Sequence, residues 1–222
     1  MSRLAAVVFD FDGVVLDSET AEFEAHRLIF ERHGAMLTPD EWCGQIGIWT
    51  EGYGGRWFER LCSLSECAPD RASYEAEKSQ TFQRLVAREP MRGVRELVAA
   101  LGAAGVPLGI ASSSPGQYVA RKIAELGLGD CFSAVVSGSD VTRRKPAPDV
   151  YLEAARRLGA DPRRSVAVED SGPGVAAARA AGMKIVAIPH WLTFQHDLTG
   201  ADLHVTHADE LSVDLLERLV GP

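Results

Sequence analysis

Short apolar runs alternate with longer amphipathic stretches along most of the chain, and this alternation predicts strands and helices in turn. The apolar and β-branched runs predict strands at 4–9, 107–111, 134–136, 165–168, 184–188 and 203–205. Helical spacing between most of these runs predicts helices at 92–104, 117–126, 148–158 and 174–181. Strands that alternate with helices are typical of an α/β fold with a doubly wound, mostly parallel sheet. Ligands of such sheets bind at the carboxyl ends of the strands.

The alternation stops between about residues 17 and 89, where the pattern is helical and amphipathic with no convincing strand. Apolar residues at helical spacing predict three helices in this region: Phe23, Leu28 and Ile29 mark the first, Trp57, Phe58 and Leu61 the second, and Tyr74, Phe82, Leu85 and Val86 the third. We therefore expect an α-helical domain at 17–89, inserted into an α/β core formed by 1–16 and 90–222.

Between the first two of these predicted helices, several glycines are mixed with aromatic residues. Gly47, Gly52, Gly54 and Gly55 accompany Trp49 and Tyr53, and this composition predicts a mobile loop that carries aromatic side chains. Trp57 and Phe58 are instead expected to pack in the small helical core.

The net charge of -8 on 222 residues argues against nucleic acid or an anionic membrane surface as the main partner. An anionic ligand would need positive charge supplied locally. With 46% hydrophobic residues, the composition is that of an ordinary globular protein, and we expect a monomer.

Features of the chain that report on cellular compartment favour the cytoplasm. About six apolar residues precede Asp10, too few for the core of a signal peptide, and no run of eighteen apolar residues occurs. Four scattered cysteines without metal-binding spacing are expected to be buried free thiols: Cys43, Cys62, Cys67 and Cys131.

Two aspartates follow the first predicted strand. Alternate residues of an extended chain project to the same side, so Asp10 and Asp12 converge on one small site while Phe11 points away. Two adjacent carboxylates repel each other unless a cation lies between them, and the pair predicts a metal site with a carboxylate available for nucleophilic or acid/base chemistry. Aspartates after a strand are also common as turn residues or helix caps, and these two alone leave that alternative open.

Serines and a basic triplet follow the next predicted strands. Ser112 and Ser113 come just before a helix, where hydroxyls and free amides suit a phosphate or carboxylate oxygen; simple N-capping by Ser113 or Ser114 is the alternative. Lys145 belongs to a basic triplet that is held by two prolines ahead of a helix. A cation on a rigid turn of an acidic protein favours an anionic ligand, although such triplets are usually solvated surface.

A second acidic pair, Glu169 and Asp170, follows the strand at 165–168 and precedes a glycine-rich helix start. Mg²⁺ prefers oxygen ligands, and Asp10, the Asp12 carbonyl and Asp170 together offer three, with room left for water and a substrate phosphate. Helix capping explains Ser171, but it does not explain a glutamate in so apolar a run.

In chain order the motifs are D-x-D-G-V, a strand-end serine, K-P-x-P and E-D-S-x-x-G, each at a strand end or a helix start. This pattern resembles the haloacid dehalogenase superfamily. Within it the chain is similar to the β-phosphoglucomutase-like and phosphoglycolate phosphatase-like branch, which has a Rossmann-like core and a helical cap after the first strand. The resemblance covers essentially the whole chain.

The resemblance implies a role for each motif. Asp10 would be the nucleophile that forms an aspartyl phosphate, and Asp12 the general acid and base. Ser112, Ser113 and Lys145 would hold the phosphoryl oxygens. The metal ligands of the implied Mg²⁺ ion would come from Asp10, Asp12, Asp170 and Glu169, the last directly or through water.

By the same resemblance, the cap would close over the site and recognise the leaving group. Lys78 falls near a lysine that reaches toward substrate in relatives, and Glu22 and His26 lie on the first cap helix. Specificity would depend on the segment 45–56, which includes Trp49. A solvated surface is the alternative for Lys78 and for the helix face that carries Glu22.

The function predicted from these residues is a Mg²⁺-dependent phosphatase that acts on a small phosphorylated metabolite, such as a sugar phosphate or a sugar-acid phosphate. A phosphomutase such as β-phosphoglucomutase is the main alternative. Two departures count against it: Glu22 stands where that mutase has a hinge histidine, and the expected cap arginine falls near Thr50.

Other activities of the superfamily fit less well. The dehalogenases lack the second acid, which is present here as Asp12. Phosphonate hydrolysis needs a Schiff-base lysine, and Lys78, the only lysine in the predicted cap, lies outside the expected place. A non-catalytic regulator would be expected to lose Asp10, Asp12 or Lys145. The chain also has no P-loop, zinc or dinucleotide motif, so ATP, zinc and NAD are not predicted.

Overall fold

A single parallel sheet occupies the centre of the computed structural model, which describes residues 4–47 and 53–221. Its strands are β1 (Ala6–Phe9), β2 (Leu108–Ser112), β3 (Ala134–Ser137), β4 (Ser165–Glu169), β5 (Lys184–Ala187) and β6 (Leu203–His204). The order across the sheet is β3-β2-β1-β4-β5-β6, and each neighbouring pair is parallel. The chain therefore builds outward from β1 in one direction and then crosses to its other side. This confirms the predicted doubly wound α/β fold.

The helices in chain order are α1 (Glu19–Arg32), α2 (Pro39–Cys43), α3 (Tyr53–Leu64), α4 (Arg71–Leu85), α5 (Val94–Ala103), α6 (Gly116–Glu125), α7 (Asp149–Leu158), α8 (Gly172–Ala180) and α9 (Val213–Val220). The last five follow or join strands of the sheet, close to where the sequence pattern predicts helices. No helix among the described residues is long and apolar enough to cross a membrane.

The central strand β1 is buried on both faces, because helices cover the sheet from both sides. Val7 and Phe9 belong to a core with residues of α5, α6 and α9. Val8 points the other way, into a core with Tyr151 of α7 and Val175 of α8. This burial explains why β1 reads as a continuous apolar run, and its carboxyl end leads directly to Asp10.

Helices α1 to α4 form most of a third apolar cluster, which Leu192 from the segment after β5 completes. It includes Phe23 and Ile29 of α1, Trp42 of α2, Trp57 of α3 and Tyr74 of α4. The rings of Trp42 and Trp57 stack with their centroids 5.0 Å apart. The expected packing of Trp57 is confirmed, and Phe58 packs against the same cluster.

Two expectations from the sequence are wrong in this region. The predicted aromatic loop ends earlier than its glycines suggest, because α3 begins at Tyr53 and includes Gly55; Trp49 lies outside the described residues. The buried stripe of Trp57 and Leu61 anchors this helix, and its first turn extends back over the glycines. Of the four free cysteines only Cys43 is buried, while Cys62 and Cys67 are exposed and Cys131 is partly so.

Candidate active site

A cleft of about 650 Å³ lies between the carboxyl edge of the sheet and the helices α1 to α4. From the sheet side, side chains that follow β1, β2, β3 and β4 line it: Asp10, Asp12, Ser113, Ser114, Lys145, Asp170 and Ser171. From the helical side, α1, α4 and the turn after α2 contribute Glu19, Glu22, Gln45, Ile46, Glu75, Lys78, Ser79 and Phe82. The four motifs predicted from the sequence therefore meet at one place.

Lys145 lies between two buried carboxylates at the floor of this cleft. Its Nζ donates to Asp10 Oδ1 and to Glu169 Oε1, each at 2.6 Å, and its side chain is only 2% exposed. Burial alone would lower the pKa of Lys145, but the charges of Asp10 and Glu169 raise it above its usual value. Lys145 is therefore a permanent cation beside Asp10, and not the solvated surface residue that its sequence context also allowed.

Glu169 accepts hydrogen bonds on both of its carboxylate oxygens. Oε1 accepts from Tyr151 Oη at 2.5 Å and from Lys145, while Oε2 accepts from the backbone amide of Asp170 at 3.2 Å and from the Ser171 hydroxyl at 3.2 Å. With these donors in place, Glu169 fixes the position of Lys145. This arrangement favours an indirect role for Glu169 at a metal site over direct ligation.

Asp12 is surrounded by hydroxyl donors. Ser114 Oγ donates to Asp12 Oδ2 at 2.6 Å and Ser112 Oγ donates to the same oxygen at 3.4 Å, while Ser18 donates to Oδ1. Burial raises the pKa of Asp12, and the serine hydrogen bonds oppose that rise. A carboxyl with a raised pKa, held in a fixed orientation, suits proton donation to a leaving group.

The pKa of Asp10 is also raised. Burial raises the pKa of Asp10 to about 7, opposed by Lys145 and supported by the nearby charges of Glu169 and Asp12. Several acidic groups in one buried place favour a bound cation, because a cation restores the ionised form.

The fit of a metal ion can be judged from the carboxylates themselves. Oxygen atoms of Asp10, Glu169 and Asp170 lie within 4.8 Å of one another. Asp170 Oδ2 is buried and has no hydrogen-bond partner among the described residues. Gly13 leaves room beside it, since a Cβ at Gly13 (φ +82°) would lie 2.4 Å from that oxygen. An orphaned carboxylate oxygen beside other acidic oxygens fits Mg²⁺.

The two serines predicted to bind phosphate have different surroundings. The Ser113 hydroxyl is buried without a hydrogen-bond partner in the described part of the chain, and Ser113 lines the cleft. The Ser112 hydroxyl accepts from the Ser114 amide at 2.9 Å and donates to Asp12. Ser113 is thus the residue with a free hydroxyl to offer a ligand.

On the helical side, Glu22 and Lys78 both line the cleft and lie next to each other, a pairing that the sequence did not predict. Lys78 Nζ lies 3.4 Å from Glu22 Oε1 and 3.4 Å from Glu75 Oε2. His26 is buried below them, with Nε2 3.6 Å from Glu22 Oε1 and Nδ1 hydrogen-bonded to the Tyr74 hydroxyl. Hydrogen bonds from His26 and Lys78 lower the pKa of Glu22 despite its burial. Glu22 and Lys78 line the cleft, while His26 supports Glu22 from beneath.

Sequence reasoning did not identify Glu19 as a cleft residue. Trp42 Nε1 donates to Glu19 Oε2 at 3.3 Å, and burial raises the pKa of Glu19 to about 8, with Asp12 adding to the shift. In the sequence, Glu19 looks like an ordinary acidic residue in the first turn of a helix. Ser114 and Ser18, which hold Asp12, were also overlooked, although Ser114 belongs to the serine triplet that marked the site.

Comparison with known proteins identifies the family of the chain. The model of the haloacid dehalogenase-like hydrolase family matches residues 7–188. The chain is 36% identical over 191 residues to YhcW of Bacillus subtilis, a proposed phosphatase, with 86% of each chain covered. It is 32% identical over 197 residues to the phosphorylated carbohydrates phosphatase of Thermotoga maritima, covering 85% of this chain and 87% of that one.

A solved structure shows the same fold. The crystal structure of a proposed β-phosphoglucomutase from Thermotoga maritima superposes with a TM-score of 0.76 at 29% identity, covering 96% of this chain and 99% of that one. Similarity to phosphatases of this family supports a phosphoric monoester hydrolase. The chain belongs to the haloacid dehalogenase-like hydrolases, in the branch that includes phosphatases and β-phosphoglucomutase-like proteins.

Proposed function

We propose that this protein is a Mg²⁺-dependent phosphatase that hydrolyses a small phosphorylated metabolite, a sugar phosphate or sugar-acid phosphate, through an aspartyl phosphate on Asp10. The observation that carries the proposal is the position of Lys145, buried between Asp10 and Glu169 at the floor of the cleft. A buried cation in contact with the nucleophile is suited to hold a phosphoryl group there. The phosphatase relatives support the same reaction class.

The reaction proceeds in two displacements at phosphorus. An Asp10 carboxylate oxygen bonds to phosphorus while the bond to the leaving oxygen breaks, and Asp12 gives its proton to that oxygen. Water then attacks the phosphorus of the aspartyl phosphate, Asp12 takes up a proton from the water, and the bond to Asp10 breaks to release phosphate. The serine hydroxyls around Asp12 keep its carboxyl aimed at the leaving oxygen in both steps.

Other residues of the floor stabilise charge on the transferring group. Lys145 balances the negative charge of the phosphoryl oxygens, and the free Ser113 hydroxyl donates to one of them. Ser112 acts through Asp12 and the turn that it caps. Asp10, Asp170 and the Asp12 carbonyl would hold Mg²⁺, with Glu169 behind them. When bound, the ion offsets the repulsion between the Asp10 carboxylate and the phosphate dianion.

We propose that residues 17–89 act as a cap that covers this site, and that 1–16 and 90–222 form the catalytic core. An apolar cluster built mainly from α1 to α4 supports this division, since these helices pack chiefly on one another. The cap would exclude bulk water and contact the leaving group through Glu22 and Lys78. Trp49 and the rest of 48–52 belong to the same proposed specificity segment.

A phosphomutase is a second candidate, because the chain is similar in structure to a proposed β-phosphoglucomutase. Glu22 argues against it, since this position of the cleft carries a carboxylate where the mutase pattern expects a histidine. A mutase must also exclude water while it returns the phosphoryl group to a second hydroxyl.

The test is phosphate release from a panel of phosphomonoesters, with and without Mg²⁺, for the wild type and Asp10→Asn. The panel includes β-glucose 1-phosphate and 6-phosphogluconate. We expect release that needs Mg²⁺ and is lost in the variant. Formation of glucose 6-phosphate from the 1-phosphate without phosphate release would favour the mutase, and no reaction with any ester would refute both.

A further inference from the structure

We propose that the cap side of the cleft selects phosphate esters whose leaving group is uncharged and rich in hydroxyls, and that it disfavours esters with a second anionic group. The inference rests on the proposed phosphatase function. It keeps sugar phosphates as the substrate class and excludes sugar-acid phosphates. It concerns the end of the cleft away from Asp10, where the leaving group must lie.

The charges on that side are predominantly negative. Glu22 and Glu75 both line the cleft there, and Lys78 lies 3.4 Å from a carboxylate oxygen of each. One lysine is thus shared between two carboxylates, and its charge is already compensated. Glu19 adds a third carboxyl group, so the sum is negative whether or not Glu19 carries a proton.

No other lysine or arginine from the helical side lines the cleft within the part of the chain that the structure describes. Arg56 donates to Oε1 of Gln45, which lines the cleft, but the Arg56 side chain is exposed and is not part of the lining. A second phosphate or a carboxylate on the leaving group would therefore meet like charge without a compensating cation.

The same groups suit hydroxyls. Carboxylate oxygens accept hydrogen bonds, and each hydroxyl of a polyol offers one donor. Glu22 is held in place by Lys78 and by His26, which the Tyr74 hydroxyl positions from below. Such a preorganised acceptor pays little ordering entropy when a polyol binds. Lys78 supplies donors to hydroxyl oxygens within the same reach.

Sorbitol 6-phosphate and 6-phosphogluconate form a matched pair of substrates for the test. They share chain length, hydroxyl positions and the phosphate, and differ at the far end, which is a CH₂OH group in one and a carboxylate in the other. We expect kcat/KM with Mg²⁺ to favour sorbitol 6-phosphate by roughly tenfold or more, as like charges at short range in a partly buried cleft predict.

The double variant Glu22→Gln/Glu75→Gln keeps the size of both side chains and removes the two charges. We expect it to bring the preference down to about threefold or less, mainly through a lower KM for 6-phosphogluconate. Glu77→Gln is the matched control, because Glu77 lies on the same helix but pairs with Arg32 outside the cleft. This control should keep the wild-type preference.

Equal rates for the two esters, or a preference for 6-phosphogluconate, would overturn the inference while leaving the phosphatase intact. A preference that persists unchanged in the double variant would overturn the assignment to Glu22 and Glu75. If neither of these two esters nor any other ester of the panel is hydrolysed, both the proposed function and this inference are refuted.

Discussion

Replacement of Lys145 by methionine is the sharpest probe of the site floor. The change keeps a long side chain but removes the only cation that contacts Asp10 and Glu169 among the described residues. Loss of one partner from a buried ion pair costs about 3–5 kcal/mol, because the charges left behind are uncompensated. For a chain of this size, that corresponds to a fall in Tm of roughly 6–20 °C.

The loss should depend on pH in a defined direction. Burial already raises the pKa of Asp10 to about 7 from its ordinary 3.8, and removal of Lys145 raises it further. Between about pH 4 and 7 folded wild type and folded variant both hold on Asp10 a proton that the unfolded chain releases, so both lose stability alike as pH rises. Above about pH 7 the wild-type Asp10 is ionised, and only the variant still holds this proton and continues to lose stability. Lys145→Met should therefore be more destabilised relative to the wild type at pH 8 than at pH 5.

The assay is urea unfolding at both pH values, without divalent cations, followed by tryptophan fluorescence. Lys184→Met serves as the control, because Lys184 makes an exposed ion pair with Asp202 at 2.8 Å, and such pairs contribute at most about 1 kcal/mol. Activity of Lys145→Met should fall by about 10²–10³-fold. A stability loss below about 1 kcal/mol at pH 8, or an equal loss at both pH values, would refute the charge argument.

Three further variants test other parts of the structure. Gly174→Ala would place a Cβ 1.9 Å from Glu169 Oε1, so its free energy of unfolding in urea should be lower by roughly 2 kcal/mol or more. An unchanged unfolding midpoint would show that the Glu169 carboxylate is free to move. Burial raises the pKa of Glu19 to about 8 from its ordinary 4.5, so the folded protein loses stability as pH rises between those two values. Glu19→Gln removes this titration and should raise Tm above that of the wild type at about pH 9 but not at about pH 4. His196 donates to the Cys43 carbonyl of α2 at 2.9 Å and accepts from the backbone amide of Gly172 at the N-terminus of α8. His196→Ala should therefore speed amide exchange in α2 but not in α5, and α2 exchange equal to that of the wild type would argue against this link.

The sequence was sufficient to locate the site because the sheet is parallel. Once strands are predicted before Asp10, Ser112 and Glu169, their carboxyl ends must meet at one edge. The contact between Lys145 and Glu169 was not predictable in the same way. It depends on how the loop before α7 folds back over the strand ends, and nothing in the local pattern near Lys145 reports on that path.

The helical region was harder to read. Glycine content at 52–55 suggested a loop, but the buried Trp57 and Leu61 decide that α3 starts at Tyr53. Glu19 lies in the cleft, where Trp42 of α2 donates a hydrogen bond to it, and this contact between helices cannot be predicted from the local sequence. These features come from tertiary contacts, which override local propensity.

The proposed mechanism requires Asp10 to form a covalent bond to phosphorus. The most direct measurement is to quench the enzyme during turnover of a good substrate with Mg²⁺, reduce the protein with borohydride, and map the product by mass spectrometry. Borohydride reduces an acyl phosphate to an alcohol, so an aspartyl phosphate becomes homoserine. We predict homoserine at position 10, dependent on substrate and absent from Asp10→Asn. Turnover with no modification at position 10, or with modification at Asp12 instead, would contradict the mechanism.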